Sequence, residues 1–401
     1  MFSNRLFVVV LTVFCSSFLC SAEKVETSVK KTICLNMIVK NEKDVITRCL
    51  QSVLPFIDTW VIVDTGSTDG TQEIIKDFMK EIPGELHERS WVNFAHNRQE
   101  ALLLAKNKAD YIFIMDADDV LSASENFKMP DLDKDFYMIL SQHPKEVFWI
   151  HRLIKASLPW FWQGVIHEDL QCEVSLEGQA LEGLVYMYMH DGARGKDPLT
   201  LQKDIQILLE ATKNEPNNPR NYFYLARTYL HNGDFENALK YFKMRSEMKG
   251  SLEELFSSKL CLAKIQFALD FDPKIVQKSF FEAYQSRAHR VEPLYYLVKS
   301  LRKQGDFVKG YEIAHCALEL PKNPNDYHCL EKWIYDFGLL SELAYCAAQS
   351  NHSKEAIEII GNVLSQKDLP EDLRKEMEAL LESIYQKNVE KFEKKIASIL
   401  F

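Results

Sequence analysis

Apolar residues follow two rhythms along this chain, and the change between them divides it. In the first half, short unbroken apolar runs alternate with helically spaced ones. Residues 32–39 (TICLNMIV), 60–63 (WVIV) and 111–115 (YIFIM) are apolar at nearly every position. That is the composition of strands buried on both faces. Residues 86–91 make a weaker run of the same kind. Between the runs, three sets of residues each fall on one helical face: Ile46, Leu50, Val53 and Leu54; Ile74, Ile75, Phe78 and Ile82; Phe94, Ala101, Leu102 and Ala105. Asp69 and Gln72 suit the start of the second helix as a capping box. The alternation predicts a parallel sheet with right-handed crossovers. It fades after residue 119, where residues 136–140, 146–150 and 184–189 still read as strands.

From Pro198 onward only helical spacing remains, and it repeats. Leu225-Ala226 precedes Gly233-Asp234-Phe235 and Ala238, and Leu297-Val298 precedes Gly305-Asp306-Phe307. The copies lie two units of roughly 36 residues apart. Leu262-Ala263 falls between them, and a degenerate copy follows at Leu343-Ala344 and Ala356, displaced by an insertion around residues 323–333. Residues 371–401 read as one amphipathic capping helix. The expected organisation is an α/β domain over 31–197, helical repeats over 198–370 and a cap over 371–401. The repeats offer either a groove for a protein or peptide partner or passive scaffolding.

Residues 1–22 stand apart. Arg5 gives a positive start, residues 6–20 are almost wholly apolar, and Cys20-Ser21-Ala22 offers small residues before Glu23. That is the layout of a secretory signal peptide cleaved after Ala22, or of an uncleaved anchor. The expected location is therefore exported or membrane-associated. Nine cysteines include two in this segment. The other seven are Cys34, Cys49, Cys172, Cys261, Cys316, Cys329 and Cys346, an odd number without a C-x-x-C pair, which reads as buried thiols. The net charge of −10 and the lack of a Lys/Arg run give no sign of a nucleic-acid surface. A phosphate-bearing ligand must then be met by a local site.

The candidate chemistry lies where the apolar runs stop. Residues 116–119 place Asp116, Asp118 and Asp119 just past a buried strand, where they repel one another unless a cation sits between them. Asn41-Glu42 and Asp64 end the two neighbouring runs, the edge at which open α/β sheets take ligands. An acidic turn, a helix cap and an Asx-turn are the bland alternatives for each group taken singly. There is no G-x-G-x-x-G after the first strand, no G-K-[ST] and no G-x-S-x-G. Further on, residues 159–169 set a dense aromatic patch, with Trp160 and Trp162, beside His167-Glu168-Asp169. Aromatic faces stack on sugar rings, though an ordinary core strand has the same composition.

MIVKNE (37–42), VIVDTGSTDGT (61–71), FAHNR (94–98) and MDADD (115–119) occur in that order. Their spacing resembles the family 2 glycosyltransferases with the GT-A (nucleotide-diphospho-sugar transferase) fold, in the branch that often carries tetratricopeptide repeats. The resemblance covers roughly residues 32–195. It implies an α/β GT-A domain followed by an all-α helical repeat domain, and a nucleotide-sugar donor, with a uridine diphosphate sugar as the default. It implies that Glu42 and Asp64, beside Asn41, hold the nucleoside. Arg98 lies near the nucleotide. Asp116 and Asp118 hold a divalent metal, Mn or Mg, with the late His190 completing the metal shell. The family places its base in the segment holding Glu168 and Asp169, with Glu168 preferred. Residues 191–196 read as a flexible basic loop whose Arg194 and Lys196 close over the diphosphate, or as a linker. The expected activity is metal-dependent, inverting transfer to a protein or glycan acceptor. The alternatives are a nucleotidyltransferase and a non-catalytic repeat scaffold.

Overall fold

The structure, a computed structural model, describes residues 30–143, 146–321 and 330–401. The expected signal segment and Cys329 lie outside the described residues. Eight strands form one sheet in the order β3-β2-β1-β4-β7-β6-β10-β5. Its parallel half comprises β3 (Gly84–Glu88), β2 (Thr59–Asp64), β1 (Ile33–Val39) and β4 (Tyr111–Ile114). β7 (Glu146–Lys155) runs antiparallel to β4 and to β6 (Phe136–His143). β10 (Gly178–Met187) lies parallel to β6 and antiparallel to β5 (Val120–Ala123). A separate hairpin pairs β8 (Trp160–Gln163) with β9 (Asp169–Cys172).

The unbroken apolar runs are buried because both faces of the parallel half are covered. Ile33, Leu35, Met37 and Val39 pack with Ile46, Leu50 and Val53 of α1 (Ile46–Val53) and Ile75 of α2 (Thr71–Phe78). Cys34, Val61, Ile112 and Ile114 face Leu102 and Ala105 of α3 (Phe94–Ala105) on the other side. Two boundaries differ from expectation. The third strand starts at Gly84 and ends at Glu88, short of Trp91. The second helix starts at Thr71 behind Gly70, whose φ of 95° only glycine takes freely. Asp69 is thus not its cap. Its Oδ1 instead accepts the Thr71 N–H (3.0 Å) and hydroxyl (2.6 Å).

After β10 the described residues are helical: α4 (Ala193–Lys196), then α5 (Thr200–Asn214), α6 (Pro219–His231), α7 (Phe235–Ser246), α8 (Leu252–Ala268), α9 (Pro273–Ser286), α10 (Glu292–Lys303) and α11 (Phe307–Leu318). A π-helical turn (Ile334–Gly338), α12 (Leu339–Gln349), α13 (Ser353–Leu364) and the long α14 (Glu371–Leu400) follow. The Gly-Asp-Phe copies open α7 and α11. Gly233 and Gly305 adopt φ of 77° and 76°, and Asp234 caps α7 by accepting the Asn237 N–H at 3.0 Å. Asp306 holds the same place before α11 without a side-chain cap bond. The two halves meet through Ile166 and partly buried Phe94 and Val165, packed against Ile205 and Leu208 of α5 and Leu225 of α6. Among the described residues no helix is long and apolar enough to cross a membrane.

Candidate active site

Three loops leave the same edge of the parallel half, after β1, β2 and β4, and the site is built from them. The first two are tied together. Asn41, at φ 58°, donates its N–H to Ser67 Oγ (2.8 Å), and its Oδ1 accepts the Thr68 N–H (2.8 Å). The Glu42 N–H donates to Thr71 Oγ1 at 2.8 Å, which leaves the Glu42 carboxylate to reach the Ala193 N–H (3.1 and 3.3 Å). Burial, followed by the charge of Asp118, pushes the Glu42 carboxyl up to about 7. Asp64 is 1% exposed. Its Oδ1 accepts the N–H groups of Gly66 and Ser67 (2.9 Å each) and Gln72 Nε2 (3.0 Å). Its Oδ2 is buried without a hydrogen bond.

α1 secures the third loop. Arg48 donates to the Asp118 carbonyl (2.5 Å) and pairs with both oxygens of Asp191 (2.7 and 2.8 Å). Ser52 Oγ accepts the Leu121 N–H at 3.0 Å. Within the loop the three acids are treated differently. Asp116 bonds Arg98 through Oδ1 and Arg152 through Oδ2, the latter at 3.2 Å. Burial alone would raise its carboxyl. The two guanidinium charges outweigh that and hold it at about 2. Asp118 is raised by burial and then by Asp116, with the Gly192 N–H on its Oδ2 at 3.3 Å. Asp119 is 3% exposed and accepts the Met189 N–H (3.1 Å). Burial and the charges of Asp116 and Asp118 push it up to about 7. A Cβ added at Gly192 would lie 2.8 Å from Asp118 Oδ2 and 2.9 Å from Glu42 Oε2, so these two carboxylates converge on its bare backbone.

Glu168 joins this group from the hairpin side. Arg98 Nε donates to Glu168 Oε1 at 2.5 Å, and its guanidinium lies 5.3 Å from the centre of the Trp162 ring. Arg152 donates to the Tyr188 hydroxyl (3.1 Å) and lies over the Tyr186 ring. The structure therefore brings Asn41, Glu42, Asp64, Arg98, Asp116, Asp118 and Glu168 to one edge. Asp169 is not part of this network: it opens β9 and bonds the Gln171 side chain. Glu168 itself lies in the 164–168 turn, between β8 and β9, and not in a strand.

His190, at φ 55°, stacks on Tyr188 with ring centres 5.8 Å apart. Among the described residues no three His, Cys, Asp or Glu side chains meet at metal-binding distance, so Asp116, Asp118 and His190 are not preassembled as a cage. Residues 193–196 are a helical turn, not a loop. Arg194 does not face the acids. It forms a two-pronged pair with Asp204 of α5 (2.6 and 2.8 Å) and lies 4.6 Å over the Phe94 ring. Lys196 is exposed, 4.0 Å from Asp44. Sequence reasoning missed Arg48, Arg152 and Gly192. A lone arginine inside the apolar run VFWIHRLI was the available signal for Arg152.

With this geometry in view, comparison with known proteins places the parallel half. Residues 34–132 match the family model described as glycosyl transferase family 2, and residues 207–240 match a tetratricopeptide repeat model. The α/β half carries a family 2 glycosyltransferase domain, and the helical half carries a tetratricopeptide repeat. Over 231 residues the chain is 24% identical to the SPbeta prophage-derived glycosyltransferase SunS of Bacillus subtilis (strain 168), covering 54% of each. Over 90 residues it is 34% identical to a TPR repeat-containing protein of Synechococcus elongatus, covering 22% of this chain and 21% of that one. The chain spans about half the length of the SunS relative it matches. The crystal structure of MamA aligns with 44% of this chain and 94% of that one, at 16% identity and a TM-score of 0.34.

Proposed function

We propose that this chain transfers a sugar from a nucleotide-sugar to a hydroxyl of a protein or glycan acceptor, with inversion at the anomeric carbon. The observation that carries the reading is the convergence of Glu42, Asp64 and Asp118 with the Arg98–Glu168 pair at one sheet edge. The unbonded Asp64 Oδ2 suits a base N–H or a ribose hydroxyl, because a buried carboxylate oxygen without a partner is costly. Uridine diphosphate is the nucleotide we assign by resemblance. Glu168 takes the acceptor proton as the hydroxyl oxygen bonds to the anomeric carbon and the bond to the diphosphate breaks. Arg98 holds its Oε1 and so orients the carboxylate.

A divalent cation, Mn or Mg, fits the donor set: half-buried Asp118 and buried Asp119 are both raised by desolvation and by the charge of Asp116, and their hard oxygens suit such an ion. Asp118 would hold it, with Asp116 beside it. When bound, the cation neutralises the charge of the departing diphosphate. The test is to incubate the full chain with a panel of nucleotide-sugars and manganese, with and without chelator, and measure released nucleoside diphosphate. Turnover of one donor, lost in chelator, is the expected result. No turnover and no binding with any donor would sink the reading. A second reading, a donor-binding domain without catalysis, draws on the two arginines that occupy Asp116. Binding without turnover in every acceptor class would favour it.

A further inference from the structure

The turn that carries Glu168 belongs to the α/β half by sequence, yet the repeat helices hold it. Ile166 is 3% exposed among Ile205, Leu208 and Leu225. His167 adopts φ 52°, a left-handed conformation that a residue with a Cβ avoids. Its ring stacks on Tyr224 of α6, with centres 4.5 Å apart, and its carbonyl accepts Arg220 Nη2 at 2.8 Å. Arg220 is itself gripped. Its Nη1 donates to Glu254 Oε1 of α8 at 2.8 Å, and its guanidinium lies 4.8 Å over the Tyr224 ring. The other Glu254 oxygen faces the fully buried Arg245 at 3.5 Å. A charged chain thus runs from Arg245 through Glu254 and Arg220 to the His167 backbone, then through Glu168 and Arg98 to Asp116.

We propose that Arg220, contributed by the first repeat helices, is a positioning residue of the transferase site: it fixes the 164–168 turn so that Glu168 meets the acceptor hydroxyl. Gly164, at φ 102°, turns the chain freely, but His167 carries a Cβ and is held left-handed, so that residue's path needs support from its partners. Release of the His167 carbonyl lets its φ return to negative values and swings the next residue, Glu168, off Arg98. The planar guanidinium fork reaches Glu254 through Nη1 and the carbonyl through Nη2 at once, a fixed two-nitrogen geometry that the single nitrogen of a lysine ammonium does not reproduce.

This inference rests on Glu168 being the base, and the experiment separates the two claims. In the full chain, Arg220→Ala and Arg220→Lys are compared with wild type by amide hydrogen exchange and by steady-state transfer, with affinity for uridine diphosphate plus manganese as the donor-side control. The expected result for Arg220→Ala is faster exchange at 165–169 with β1 and β4 unchanged. Its kcat should fall about 10²-fold, the scale of a reacting group displaced by roughly 1 Å, while uridine diphosphate affinity stays within about twofold. Arg220→Lys should recover part of both losses. Unchanged exchange at 165–169, or protection lost equally along α5 to α8, overturns the proposal. So does wild-type kcat in a variant whose turn has loosened. Should Arg220→Ala fail to fold, Arg220→Lys alone decides by the same criteria. Failure of the wild type to turn over any donor would instead overturn the transferase reading, and the exchange result would still show whether Arg220 holds the turn.

Discussion

A desolvated acid keeps its charge where a cation or N–H donors stand against it, and the acids of the 116–119 loop divide on whether a cation does. Asp116 has two arginines and stays low, whereas Asp118, Asp119 and Glu42 are raised by burial and by neighbouring carboxylates. Asp118→Asn removes a ligand charge while keeping size. It should weaken manganese-dependent nucleoside diphosphate binding by about tenfold or more, with the melting temperature little changed. Equal affinity in titration calorimetry would remove the cation from this loop. Glu168→Gln should lower transfer by roughly 10²-fold or more, the scale of a general base, and leave donor affinity unaltered. Asp169→Asn should do much less, since Asp169 stands outside the network, and exchanged effects would make Asp169 the base. Far from the site, burial of Glu342 in α12 pushes its carboxyl from about 4.5 up to about 7, against the charges of Arg302 and Lys299. A group raised in the folded state stabilises it fully below the unfolded value and loses that contribution as pH rises through the folded one. Stability owed to Glu342 should therefore decline between about pH 4.5 and 7, by on the order of 3 kcal/mol at most. Urea unfolding of wild type and Glu342→Gln across that window checks it: the variant should decline less.

Elements were legible where one local force decides them. β1, β2 and β4 could be read because continuous apolar runs have nowhere to go but a doubly covered sheet. The Gly-Asp-Phe turns could be read because a left-handed glycine followed by a capping residue is a local signal. The start of α2 differs from expectation because Asp69 is taken by Thr71 and by the Lys43 N–H of the neighbouring loop, which spacing does not show, leaving Gly70 at the cap position. The basic segment at 193–196 was misread because the partner of Arg194, Asp204, is supplied by the next helix. Arg152 was missed for a related reason. Only the antiparallel register of β7 on β4, Phe113 opposite Leu153, brings it to the end of the acid-bearing strand. Before α4, Gly192 is required by close approach rather than by dihedral freedom. Gly192→Ala should push Glu42 and Asp118 apart. The expected outcome is weaker nucleoside diphosphate binding together with a loss of about 1–3 kcal/mol in unfolding free energy, read by calorimetry and denaturant titration. No change in either would mean the two carboxylates are free to separate.

At the scale of the whole molecule, the α/β half is followed by stacked helix pairs, each contacting its neighbours, as repeat arrays do. Protein isolated from its native host should begin at Glu23 if the apolar N-terminal segment is a cleaved leader, and intact residues 1–22 in mass spectrometry would point to an anchor. The apolar plug at Ile166 has a consequence for how such chains can be recombined. A boundary drawn where the last strand ends looks like a natural seam, but α5 and α6 pack on the 164–168 turn of the α/β half, and Glu254 of α8 holds the arginine that bonds it. An exchange of repeat arrays between homologous chains that cuts before α5 would hand the 164–168 turn a foreign surface. A cut after α8 would leave it intact. Drift in the first repeat is thereby yoked to the enzyme, and the later helix pairs are the part left free to diverge.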